Sequence, residues 1–225
     1  HGCFEQTTAA TYPSVLVLEL AGQDPELAPE LAEHARACAV EGAARLRRFQ
    51  HDDGAFALHG PPMEPDPWLT AVGLAELSQL AAFVDVERDR LRRAAAALVR
   101  RWQEPSGAFR LGDRARGGAV TVTAYAASAL VASGEQPEAA RRALDWLEAE
   151  VARGEHAPYA VALAARALLS AGRTTPGRAL VERLRTSAVR HDDGTASWPV
   201  SAADTTTGTS HEAAEVEVTA LAAQA

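Results

Sequence analysis

Apolar positions recur at helical spacing almost from end to end of this chain, and no segment alternates with the period of two that marks a strand. About nine helices follow. The first runs from near Glu5 to Leu20, the second from about Leu27 to Phe49, the third from Asp66 to Phe83 and the fourth from Val86 to Gln103. The fifth covers Ala119 to Ser133. Pro137 opens the sixth, at a favoured first-turn position, and it ends near Gly154. The seventh spans Ala157 to Ala171, the eighth Pro176 to Val189, and the ninth starts near Glu212.

The helices differ in character. The third, fifth and seventh are nearly uncharged around their whole circumference, as in Trp68 to Leu74, Val120 to Val131 and Tyr159 to Leu169. A helix apolar on all sides is a buried one. The second, fourth, sixth and eighth carry Arg and Glu on one face, as in Glu87 to Arg93 and Arg141 to Trp146, and so present one wet and one dry side. Strict alternation of the two kinds predicts an all-α fold, an α/α toroid of concentric helix rings. Its inner ring would come from the first, third, fifth, seventh and ninth helices. The apolar pattern still runs at Ala225, so the reading is of a ring incomplete at its C-terminal end, a single domain over 1–225 excised from a longer precursor.

A repeat supports this layout. Phe49-Gln50 and Asp53-Gly54-Ala55-Phe56 recur as Trp102-Gln103 and Ser106-Gly107-Ala108-Phe109, with a fainter echo at His191-Asp192-Asp193-Gly194 and Trp198. Fixed-period helical hairpins mark repeat architectures. Each copy follows an amphipathic helix, and its Gly suits a tight turn. Turn chemistry also accounts for the Asp-Asp-Gly better than metal binding does.

Composition adds bounds. At 47% hydrophobic residues the chain can bury a sizeable core. Its net charge of −8 comes from interleaved acids and bases with no basic stripe, which argues against a nucleic-acid partner. No apolar run is long enough to span a membrane. The seven histidines form no metal-ligand cluster by spacing, and no cofactor is expected. Two cysteines make no disulfide framework. Cys38, in an Ala-rich helical run, reads as a small buried hydrophobe.

Cys3 differs. It stands in Gly2-Cys3-Phe4-Glu5-Gln6, at the predicted start of the first helix, and residues three apart on a helix share a face. A Cys3 sulfur could reach the Gln6 side-chain carbonyl; loss of ammonia would then leave an internal thioester. Only an amide side chain can lose ammonia and keep the acyl group. Free amide donors at the helix start would make Cys3 a good nucleophile and a good leaving group. Gly2 would permit a conformation that a Cβ resists. Glu5 suits either a direct catalytic part or a carboxylate favoured by the helix dipole.

The pentapeptide resembles the Gly-Cys-Xaa-Glu-Gln motif of the thioester-containing proteins, the α2-macroglobulins and complement components. Other segments are similar in order along the chain: Thr7-Thr8 and Tyr12-Pro13, Asp53-Gly54, Trp68-Leu69-Thr70-Ala71, Gly117-Gly118 with Thr121, Thr123, Ala124 and Tyr125, and Glu215 to Thr219. The first helix looks like that of the bacterial α2-macroglobulin branch. The resemblance implies a single-turnover covalent-capture module of a secreted or periplasmic protease inhibitor or defence protein, not a turnover enzyme. Its partners would be amines on a protease or surface, and other domains of its own precursor that shield the thioester from water. Phe4 and Tyr12 are candidate shields, or core residues. Hydroxyl-preferring relatives place a histidine five residues before a Gly-Gly pair. Here that position is Gly112, followed by Asp113, and no histidine lies between His59 and His156. The resemblance therefore implies direct attack, with amines preferred over hydroxyls.

Two other readings compete. An α/α-barrel terpene cyclase or prenyltransferase would share the Gln and Gly-aromatic repeats, but its acid motif, zinc set and cavity aromatics are not found. A helical scaffold without chemistry would leave Gly2 to Gln6 unexplained.

Overall fold

The computed structural model describes residues 2–24, 29–112, 117–198 and 211–224. Among them the protein is all-α, with nine helices: α1 (Phe4–Gln23), α2 (Pro29–Leu46), α3 (Pro67–Leu80), α4 (Arg88–Trp102), α5 (Ala119–Ser133), α6 (Pro137–Arg153), α7 (Pro158–Ser170), α8 (Thr174–Ser187) and α9 (His211–Gln224). The expected start of the second helix, Leu27, lies outside the described residues, and that helix ends early in a single 3₁₀ turn, Arg47–Phe49. Local chemistry sets the boundaries. Asp66 caps α3, its carboxylate accepting from the N–H groups of Trp68 and Leu69, with Pro67 in the first turn.

Two compact units divide the chain, His1–Arg101 with Ala132–Gln136, and Trp102–Val131 with Pro137–Ala225. In the first, α1 packs on α2 and α3. A Cβ at Gly42 of α2 would lie 2.2 Å from the Thr11 methyl of α1, so only glycine admits this approach. In the second, α7 packs on α6, α8 and α9. The fully buried Tyr159 there bridges two elements: its hydroxyl lies 2.9 Å from that of Tyr125 and donates to Glu217 at 3.0 Å. Glu217 of α9 is thus tied to α7 by a hydrogen bond.

Burial follows the expected alternation. Glu76 aside, the buried residues of α3, α5 and α7 are uncharged, whereas α4, α6 and α8 bury one stripe of Ala, Leu, Val or Gly. α1 departs from the all-buried pattern, leaving Tyr12, Leu16 and Leu20 exposed at a spacing of four.

The repeat is a hairpin, its first copy in the first unit and its second in the second. Gln50 bridges antiparallel to Phe56, and Gln103 to Phe109. Gln50 Nε2 donates to the carbonyls of Gly54 and Arg90, both at 3.1 Å; Gln103 Nε2 donates to Gly107 at 3.4 Å and Ala139 at 2.8 Å. Phe56 N–H donates to Thr70 Oγ1 at 2.9 Å, as Phe109 N–H does to Thr123 Oγ1. Gly54 and Gly107 have φ of +102° and +99°, and at each a Cβ would lie 2.3 Å from a helix backbone oxygen. The third copy corrects the expectation of no strands. Val189–Arg190 (β1) pairs antiparallel with Ala196–Ser197 (β2), and Val189 belongs to this pair instead of α8. The turn, with the Gly194 N–H on the His191 carbonyl, dictates the pairing, so no alternation in the sequence announces it.

Candidate functional site

Cys3 is the N-cap of α1, in extended backbone (φ −78°, ψ 176°), and is half-buried. The helix starts here because Cys3 and Gln6 form a reciprocal capping box. The Gln6 backbone N–H points at the Cys3 side chain, and the Gln6 side chain folds back so that Oε1 accepts from the Cys3 N–H at 3.1 Å. Sequence spacing predicts a shared face; the structure adds that the Gln6 carbonyl is held, and polarised, by the cysteine's own amide.

Gly2 has a role different from the one expected. Its backbone is not in the left-handed region; what matters is clearance. A Cβ there would lie 3.0 Å from Gln6 Oε1 and 3.2 Å from Gln6 Cβ. Glu5 is exposed in the first turn. Phe4 is fully buried, its ring edge-on to Phe49 at 5.9 Å and Phe56 at 5.6 Å. It anchors the start of α1 in the core. Tyr12 is 38% exposed. Gly112 is half-buried and belongs to the second compact unit, whereas Cys3 and Gln6 belong to the first. Asp113 lies outside the described residues.

A groove of about 610 Å³ opens beside the pair, lined by Gly2, Gln6, Thr7, Glu41, Arg45, Arg48, Phe49 and His59. The histidine is the residue that sequence reasoning misses, since it stands outside the position that the family pattern gives to a histidine. The cause is a backbone contact: the Phe4 N–H donates to the Leu58 carbonyl at 2.8 Å, which docks the strand-like return of the first hairpin against the start of α1. His59, the next residue, is exposed at the groove. The only sequence signal was its position three residues after Phe56.

Two further groups flank the site. Cys38 is half-buried, not buried: the dry stripe of α2 is Ala35, Ala39, Gly42, Ala43 and Leu46, and Cys38 sits at its edge with Sγ 3.6 Å from His34 Nε2. Glu76 of α3 is 2% exposed, and neither carboxyl oxygen has a hydrogen-bond partner among the described residues. Burial pushes its pKa up to about 7, while the Thr8 hydroxyl of α1 alongside pulls the other way. Among the described residues no group of three His, Cys, Asp or Glu side chains could hold a metal, and no helix is long and apolar enough to cross a membrane.

Comparison with known proteins gives two findings. The family profile described as the A-macroglobulin TED domain matches residues 1–224. The protein named Alpha-2-macroglobulin from Escherichia coli (strain K12) is 28% identical over 156 residues, which are 68% of this chain and 9% of that protein. The chain thus matches under a tenth of the length of that relative.

Proposed function

We propose, for a chain that belongs to the A-macroglobulin TED domain family, that Cys3 and Gln6 form an internal thioester that acylates a target once and then is spent. The observation that carries this reading is the Gln6 carbonyl folded onto the Cys3 N–H, one helical turn from the thiol. Cys3 Sγ adds to Gln6 Cδ, ammonia leaves, and a C–S bond replaces the C–N bond. When an acceptor attacks, its O or N bonds to Cδ, the C–S bond breaks, and the acceptor's proton ends on the Cys3 thiolate. Amide donors at a helix start favour that departing charge.

His59 changes the acceptor side of the expectation. The preference for amines rests on Gly112 standing at the relay position; His59, which lines the same groove as Gln6, supports a wider scope. An imidazole can relay the acyl group or take the acceptor's proton, so the proposed scope includes hydroxyls beside amines. The place of action is extracytoplasmic, in a longer inhibitor or defence protein whose other domains keep water from the thioester. A family match running from 1 to 224 supports treating the chain as one module.

Intact mass of the full-length protein tests the reading. The untreated protein should be lighter by one ammonia than its sequence requires, and methylamine should free one thiol and leave a methylamide on Gln6. An untreated mass equal to the sequence, with no thiol released, overturns it. His59→Ala should lower glycerol uptake relative to methylamine uptake about tenfold or more.

A further inference from the structure

The groove beside Gln6 is cationic in a chain of net charge −8. Two guanidiniums line it. Arg45 is paired with Glu41 on the same helix face. Arg48 is exposed, and among the described residues no carboxylate lies within ion-pair distance of it. His59 also lines it, and the groove reaches Gly2 and Gln6 at the start of α1, where amide N–H groups add partial positive charge. Glu5, exposed in that first turn, does not line the groove.

We infer that this groove selects an acceptor carrying an anionic group next to its nucleophilic hydroxyl, a phosphorylated or carboxylated polyol, with Arg48 as the residue that holds the anion. The inference rests on the thioester reading above. Its chemistry is the same transfer: the acceptor oxygen bonds to Gln6 Cδ, the C–S bond breaks, and the hydroxyl proton ends on Cys3.

Two arguments favour an anion over a lysine side chain. Approach of an ammonium is repelled, whereas an anion is concentrated by the factor that one unscreened charge supplies a few ångströms away, about three- to tenfold. A neutral free amine, the reactive form, feels no such field, so methylamine reports the thioester without the groove. The second argument concerns self-reaction. The 22 residues of this chain that are Lys or Arg are all arginines; it has no lysine. A guanidinium keeps its charge at any working pH and is no nucleophile, so Arg48 can line an electrophile's entrance without consuming it.

The experiment is competition for the thioester of the full-length protein, read by mass on Gln6. Glycerol 3-phosphate and glycerate are each compared with glycerol, and methylamine uptake is followed in parallel. The expected result is a preference of about three- to tenfold for the anionic acceptor over glycerol at low salt, falling toward one near 1 M salt, where charges are screened within about 3 Å. Arg48→Gln should bring the ratio to about one, and Arg48→Glu should invert it, while the exposed Arg88→Gln leaves it unchanged. A stronger response to glycerol 3-phosphate than to glycerate would assign the phosphate class, and the reverse the carboxylate class. Equal uptake of all three polyols with normal methylamine uptake overturns the inference and leaves the thioester reading standing; no methylamine uptake overturns both.

Discussion

Cys3 and Cys38 are both half-buried thiols on helices of the first unit, and each has a polar partner within about one helical turn. Cys38 has an imidazole at 3.6 Å, the partner that usually marks a nucleophile. Cys3 has a carboxamide, which is no base at all. Yet Cys3 is the one proposed for acyl chemistry, because its partner carries a carbonyl held by a hydrogen bond at 3.1 Å. Near Cys38 the described contact is with a base alone. A base raises how readily a thiol attacks; a captured carbonyl decides what it attacks.

The sharpest break of this comparison is a thiol count. With methylamine the full-length protein should release one thiol, Cys3→Ala should abolish that release completely, and Cys38→Ala should leave it intact, as read by a thiol-specific dye and intact mass. Release that survives in the Cys3 variant would reverse the roles of the two cysteines.

The next effect concerns the α1 side only, through Glu76 beside Thr8. Its carboxyl has a folded pKa of about 7 against an ordinary 4.5. Between those values the folded chain holds a proton that the unfolded chain has released. Stability is therefore greatest below pH 4.5 and falls as pH rises through about 7, by on the order of 3 kcal/mol in all. Glu76→Gln should remove that slope, measured as urea midpoints at pH 5 and pH 8. A parallel pH dependence in both proteins would sink the assignment.

The smallest effect tests clearance. Gly2→Ala sets a methyl 3.0 Å from Gln6 Oε1, which must give by a few tenths of an ångström and so lengthen its hydrogen bond to the Cys3 N–H. Thioester formation should slow about five- to tenfold, a cost near 1 kcal/mol, seen as a larger fraction of untreated protein at full sequence mass. If the variant forms the ring at the normal rate, the hydrogen bond is not what positions the carbonyl.

Much of this was legible in the sequence for local reasons. Helix spacing put Cys3 and Gln6 on one face, Pro137 and Asp66 marked helix starts, and the Gly-Ala-Phe repeat announced two matching turns. What escaped depends on contacts between residues far apart in sequence. His59 reaches the groove because Phe4 pairs with Leu58 and rings with Phe49 and Phe56; no periodicity encodes that. Gly112 was matched by its distance from a Gly-Gly pair, a count along the chain that says nothing of which unit the residue joins. Cys38 was misjudged because an Ala-rich helix hides where its dry stripe ends. The repeat marked Gln50 and Gln103 as matching positions, but their role as brackets onto α4 and α6 needs the folded backbone.

In the proposed transfer the capping box would outlive the electrophile. The acyl carbon would stay on Gln6 with its oxygen still an acceptor for the Cys3 amide, so the first turn of α1 would keep its lock while it carried cargo. Phe4 nails that turn into the aromatic cluster, and Gly42 lets α1 lie tight against α2. A captured target that struggles would pull on a side chain one turn into a 20-residue helix, with its load shared by the buried face of α1. On that reading the reagent, once fired, would become a tether.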